Sequence, residues 1–320
     1  MKVSLVKQKS LSETANLILR NLKVFVAFGA ILAIWGLNFP FVETGLEYSP
    51  PVWLAFFRAL AGFLGAFVLL FALRTRGNLD LRQKIIAFLI GIPGTALFFA
   101  FWIIGEQSVP PGEVSVLIYT FPIWTLFLSI PILGDTPSKL KVGASFLGFG
   151  GVALVARIGT VGFGGSLFAI TLLVTAGFCF ALDTVLFKRL FKAEQLVRAN
   201  VFQLAGASLF LGVWALVSEP LQGINSTPEL IGSIIWVGVL GTAIVYAIWF
   251  TLLSRYNAAS FTAYTFLVVV SALIASFFIF GEKIDSLQLV GVIALAISIY
   301  LVSKSQGKTT KKSDMELKGQ

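Results

Sequence analysis

Arg58 and Asp183 stand inside long apolar stretches of a 320-residue chain. An ionisable group at membrane depth is costly, and it faces a bundle interior, a cavity or a partner charge. Arg58 does not deprotonate, so it suits an anion contact and cannot carry a proton. It reads either as a helix-packing anchor, with snorkelling to the interface open to its long stem, or as an anion-facing cavity residue. Asp183 lies about one helical turn before Lys188 and Arg189. A local ion pair with Lys188 would accommodate it. In the other reading it faces a cavity and binds a substrate ammonium or a coupling proton. Glu43, just past the first apolar run, reads as an outward-facing interfacial acid and as a further candidate for coupling.

Uncharged groups widen the candidate site. Asn38, Gln203 and Ser208 can hydrogen-bond a ligand or join helices to each other. Asn38 is the foremost of these because Pro40 follows two residues later and loosens backbone bonding one turn earlier. In Tyr119-Thr-Phe-Pro122 the proline lacks an N–H and disturbs the carbonyl of Ile118, so a kink there would offer a carbonyl to a substrate. Trp35, Trp102, Tyr119, Tyr246, Trp249 and Tyr264 fall within apolar runs; Trp102 is so near its run's end that interfacial anchoring is equally open to it. Their rings offer apolar area, a donor and a cation-attracting face, which suits amphiphilic amino acids or organic amines better than sugar phosphates. The substrate-binding candidates are therefore Trp35, Asn38, Tyr119, Pro122, Asp183, Gln203, Tyr246, Trp249 and Tyr264, and Asp183, Glu43 and Arg58 are the candidates for coupling or anion contact. The chain has no histidine and one cysteine, Cys179, which excludes His-dependent triads, multi-cysteine metal sites and an intrachain disulfide. No catalytic residue, metal or cofactor is expected. Gly162-Phe-Gly-Gly165 reads as a short external loop and not as a phosphate-binding turn.

The elements that must hold these residues follow from composition. With 57% apolar and 12% charged residues and a mean hydropathy of +0.92, the chain cannot build a water-soluble surface, and lipid must cover it. Ten apolar runs are long enough to cross the hydrocarbon as helices: Val24–Val42, Val52–Leu73, Lys84–Ile104, Val114–Leu133, Leu140–Ala156, Leu167–Phe187, Ala199–Val217, Leu230–Leu253, Phe261–Phe280 and Leu287–Val302. The fold class expected is an all-α membrane protein of ten transmembrane helices. The first twenty residues lack the apolar core of a cleaved signal peptide. With the N-terminus inside, 21 of the 24 Lys and Arg residues fall in cytoplasmic segments, and eight acids, Glu106 among them, fall outside. Both termini are then cytoplasmic, and the net charge of +9 is mostly a topology signal that points to no nucleic acid. The basic tail 304–320 reads as solvated, with anionic lipid as an alternative contact.

Shifting the chain by 147 residues lays Gly94-Thr-Ala96 on Gly241-Thr-Ala243, Trp102 on Trp249 and Gly134-Asp135 on Gly281-Glu282. An offset of about 145 lays Asn38 on Asp183. Five spans per half is an odd number, so the second half enters the membrane from the opposite face. Two inverted five-helix repeats are a recurring plan of secondary transporters. The halves are bounded as 24–157 and 165–303, with a cytoplasmic N-terminal segment 1–23.

Trp35-Gly-Leu-Asn-Phe-Pro40, Phe57-Arg-Ala-Leu-Ala61, Gly134-Asp135 and Gly281-Glu282 resemble the drug/metabolite transporter superfamily, and most closely its ten-helix EamA-like members, over residues 24–303. The resemblance implies a central cavity lined mainly by spans one to four and six to nine, peripheral spans five and ten, and export or exchange of small metabolites. Two departures stand out: Asp135 replaces the family's Glu, and Val269 stands opposite Pro122 where the family often has Pro. The expectation is a membrane carrier for a small-molecule substrate, such as an amino acid, in the cytoplasmic membrane. Multidrug or organic-cation efflux is an alternative, a membrane-embedded enzyme or a non-transporting sensor is the alternative class, and proton coupling is open.

Overall fold

The computed structural model describes residues 22–72, 77–109, 111–155, 166–271, 274 and 285–318, without side chains at 111, 112, 303 and 305–318. Gly281-Glu282 and the Gly162–Gly165 loop lie outside the described residues, as do most of the N-terminal segment and Arg157. Among the described residues the chain is all helix: α1 (Leu22–Tyr48), α2 (Pro51–Ala72), α3 (Leu81–Glu106), α4 (Glu113–Leu133), α5 (Lys139–Val155), α6 (Leu167–Leu190), α7 (Leu196–Ser218), α8 (Pro228–Leu253), α9 (Ala258–Ser271) and α10 (Ser286–Lys318). Seven of these are long and apolar enough to cross a membrane. Helices satisfy every backbone group internally, which lipid requires. Phe25, Val68, Phe168 and Val217 are each more than 60% exposed, as lipid-facing side chains are.

Local sequence sets the ends. Asp80 and Gln83 form a capping box at the start of α3, and Ser166, Thr227 and Asn257 each cap a helix with a side-chain oxygen. Gly134, at φ 73°, ends α4 in the left-handed conformation that glycine tolerates. The first helix runs past its expected end to Tyr48, because Glu43 and Glu47 are exposed on its last turns and cost nothing there.

The spans around the centre are interrupted. In α1 a turn at Leu37 precedes Asn38, one turn ahead of Pro40. The repeat-related α6 is continuous, with Val185 in place of that proline. In α4 the helix stops at Ile118 and restarts at Phe121, with Pro122 in its first turn. In α9 a 3-10 turn at Tyr264–Phe266 stands at the equivalent depth, so this span also departs from α-helix without a proline. Wide π-helical turns occur at Ile92–Ala96 in α3 and Ile235–Ile244 in α8, which the 147-residue shift superposes.

The two halves pack as the repeat requires. The α2–α8 contact is matched by α7–α3, while α2–α7, α4–α9 and α5–α10 each pair a helix with its own counterpart. Glycines make the matched contacts close. A Cβ on Gly91 would lie 2.1 Å from the Gln203 carbonyl oxygen, and one on Gly238 would lie 3.0 Å from that of Arg58. Helices α5 and α10 meet away from the centre, where Ser298 Oγ donates to the Ala144 carbonyl at 2.6 Å.

Candidate functional site

A small cavity sits where α1, α2, α3, α4, α6 and α8 converge, lined by Trp35, Phe39, Arg58, Phe98, Trp102, Ile118, Tyr119, Phe121, Phe180 and Tyr246. Its free volume is about 20 Å³, room for about one water. Eight of the ten lining side chains are aromatic, all but Arg58 and Ile118: Trp35 meets Phe180 edge-on at 5.8 Å, and Phe98 lies 4.9 Å from Phe180. Trp35 is fixed by its indole N–H, which donates to the Gly241 carbonyl at 3.0 Å.

Two polar niches adjoin this aromatic chamber, and the repeat relates them. In one, Arg58 is buried, its Nε donates to Thr242 Oγ1 at 3.3 Å, and its guanidinium lies over Phe99 at 4.1 Å and Trp102 at 4.4 Å. In the other, Gln203 Nε2 donates to Thr95 Oγ1 at 2.5 Å and to Asp183 Oδ1 at 2.7 Å. Thr95 and Thr242 are the middle residues of the repeated Gly-Thr-Ala, and Arg58 and Gln203 stand 145 positions apart. The preceding glycines complete the match. A Cβ on Gly94 would fall 2.5 Å from Asp183 Oδ1, and one on Gly241 would fall 2.5 Å from Asn38 Oδ1. The scaffold is thus duplicated while its charge is not: a cation occupies one niche and an acid the other.

Several buried polar atoms here have no partner: both amide atoms of Asn38, Arg58 Nη1, Asp183 Oδ2, Gln203 Oε1, the Tyr246 hydroxyl and Trp249 Nε1. Leaving such atoms unpaired costs about 1–3 kcal/mol each, more for charged ones. Of these residues Arg58 and Tyr246 line the cavity, so each offers it an unpaired polar atom.

The EamA-like transporter family matches residues 22–157 and 167–304, nearly the whole chain in two copies. The chain belongs to the EamA-like transporter family. It is 29% identical over 276 residues to an uncharacterized transporter, YvbV, of Bacillus subtilis, covering 85% of this chain and 89% of that one. It is 25% identical to a probable amino-acid metabolite efflux pump of Escherichia coli, covering 85% and 91%. A solved crystal structure has the same fold at a TM-score of 0.71 and 15% identity, over 88% of this chain and 97% of that one. This EamA-like chain is a multi-pass membrane transporter.

The sequence candidates of the transporter fall in five places. Trp35, Tyr119, Tyr246 and Arg58 line the central cavity, so Arg58 does not snorkel. Asn38, Asp183 and Gln203 form the buried niches beside it. Asp183 makes no pair with Lys188, whose ammonium instead donates to the carbonyls of Leu253 and Tyr256. Trp249 is fully buried behind Trp35 at 5.2 Å, and Pro122 is buried beside Phe121; neither reaches the cavity wall. Tyr264 lies instead in a second cleft of about 370 Å³, with Val24, Phe28, Tyr256 and Phe261, and Glu43 is exposed.

Three features escaped the sequence reading. Trp102, for which interfacial anchoring was open, is buried in the cavity wall. Glu106, expected among the outer acids, is buried too and accepts the Trp102 indole N–H. Their i, i+4 spacing was the available signal. Thr95 and Thr242 were visible only as repeat markers. At the end of the bundle that holds the α4–α5 turn, Asn257 donates to Asp135 Oδ2 at 2.8 Å and accepts from Lys141 Nζ at 3.0 Å. Lys188, bound to the end of α8, lies near the same Asp135.

Proposed function

We propose that this transporter moves a small zwitterionic solute, such as an amino acid, by alternating access, as an exporter in the cytoplasmic membrane with both termini in the cytoplasm. The observation that carries the reading is the pair of repeat-related niches of opposite charge on one aromatic chamber, Arg58 with Thr242 and Asp183 with Gln203 and Thr95. A carboxylate belongs with the guanidinium, an ammonium with the carboxylate, and the apolar remainder with the rings. Tyr246, on the cavity wall, feels the charges of both Arg58 and Asp183 and supplies an unpaired hydroxyl. A cavity of about 20 Å³ is too small for any such solute, so the described conformation reads as the closed one. The inverted repeat offers two related ways of opening it, one toward each face.

Support also comes from the relatives named as amino-acid metabolite efflux pumps. The lopsided distribution of Lys and Arg along the sequence supports the orientation. Uptake of a labelled amino-acid panel into liposomes carrying the purified protein, with and without a pH gradient, tests the reading. Saturable uptake of one class is expected, and it should be lost when Asp183 becomes Asn. Saturable uptake of quaternary amines alone would replace this reading with organic-cation efflux.

A further inference from the structure

Glu106 ends α3 and is only 7% exposed. Its Oε2 accepts the indole N–H of Trp102 one turn earlier, and its Oε1 is buried without a partner. The same indole carries Arg58 on its face, with the guanidinium carbon 4.4 Å from the ring centroid. Arg58 Nη1 is itself buried and unpaired. A cation and an acid therefore share one tryptophan, the cation on the ring face and the acid at the ring N–H. The charges that act on Glu106 through space are Arg58 of α2 and Glu43 of α1. From α4 come the phenol of Tyr119, on the same cavity, and Glu113 in that helix's first turn. Helix α6 packs Leu173 and the Ala169 carbonyl against the adjacent Gly105.

An empty cavity leaves Arg58 in need of a nearby negative charge, because a buried cation without one is strongly unfavourable. Glu106, when ionised, would meet that need at the distance of one indole. An anionic group arriving on Arg58 changes the balance, since two negative charges would then serve one guanidinium in a medium of low dielectric. Uptake of a proton from water onto Glu106 Oε1 removes the excess: a carboxylate becomes a neutral acid as an anion enters, and the net charge of the site is unchanged.

We propose that Glu106 is a proton-binding site tied to Arg58 through Trp102, ionised when the cavity is empty and protonated when an anionic substrate group occupies Arg58. The substrate half of this statement rests on the zwitterion reading above; the Glu106–Arg58 half does not. Linkage makes the effect reciprocal, so protonation of Glu106 tightens anion binding by the factor by which the anion favours the proton.

Trp102 is a built-in reporter. Indole fluorescence of the purified full-length chain in detergent, followed from pH 4 to pH 9, should show a transition that vanishes in Glu106→Gln and in Trp102→Phe and persists in Asp183→Asn. In Arg58→Gln the midpoint should move up by about one pH unit or more, because the balancing cation is gone. If Glu106→Gln does not yield folded protein, Glu106→Asp keeps an acid and should displace the midpoint rather than abolish it. A wild-type chain with no transition, a transition indifferent to both Glu106 variants, or a midpoint unmoved by Arg58→Gln overturns the proposal. A mixture of neutral L-amino acids added to weakly buffered protein with a pH dye should draw protons from solution in the wild type and none in Glu106→Gln. Binding without proton uptake overturns the link to substrate. If no amino acid binds while the Glu106 transition keeps its dependence on Arg58, the amino-acid reading falls and the proton site stands.

Discussion

Arg58 and Asp183 were legible as charges out of place in apolar runs, but their partners were not. Thr242 lies 184 residues from Arg58 and Thr95 lies 108 from Gln203, so only packing across the repeat brings them together. The division of labour between the two niches can be separated by substitution. Hydrogen bonds to charged groups contribute about 1.5–3 kcal/mol, or roughly 10- to 150-fold in affinity. Asp183→Asn is expected to lose that factor for solutes with an ammonium and to leave carboxylic acids without one untouched; Arg58→Gln should show the converse. Competition against a bound labelled amino acid measures both. Thr242→Val, which removes the oxygen that orients the guanidinium, should cost less than Arg58→Gln in the same assay and follow the same selectivity.

The helices themselves were largely readable, since a run of apolar residues bounded by turn chemistry leaves little choice in lipid. The expected starts at Val52 and Leu140 differ from the observed starts at Pro51 and Lys139 by one residue. Continuity was less readable. Pro122 announced the break in α4, whereas the 3-10 turn at Tyr264–Phe266 in α9 has no proline to announce it and arises where the repeat imposes the same path. Helix contacts made by glycine give a test at this scale. Gly206, like Gly91, faces a backbone carbonyl at 2.1 Å from a built Cβ, so Gly91→Ala and Gly206→Ala must push α3 and α7 apart. Each should destabilise the protein by about 1–3 kcal/mol in detergent unfolding. Gly150→Ala, where a Cβ meets nothing within 4 Å, should change stability by no more than about 0.5 kcal/mol.

At the scale of the whole molecule, the contacts of Asn257 with Asp135 and Lys141 tie the start of α9 to the α4–α5 turn and the start of α5 at one end of the bundle. None of this could be read from the sequence, where Asn257 is one polar residue in a short turn. Removing it with Asn257→Ala should shift the population toward a form open at that end by about 0.5–1.5 kcal/mol, a two- to twelvefold change. The native Cys179 reports it, being buried on α6 next to the cavity residue Phe180 and slow to react while the bundle is closed. Its rate of modification by a small maleimide should rise by the same factor in Asn257→Ala and stay at the wild-type value in Gly150→Ala.

The matched niches also bear on why both halves reside in one chain. A homodimer of a five-helix protein must repeat every side chain across its axis, so an Arg at one niche would face a second Arg at the other, and an Asp would face an Asp. Covalent fusion lifts that constraint. Position 58 holds Arg while its counterpart at 203 holds Gln, and position 38 holds Asn while its counterpart at 183 holds Asp. Each arm can then be altered without altering its twin, and a solute with a positive and a negative end can be recognised in one orientation only.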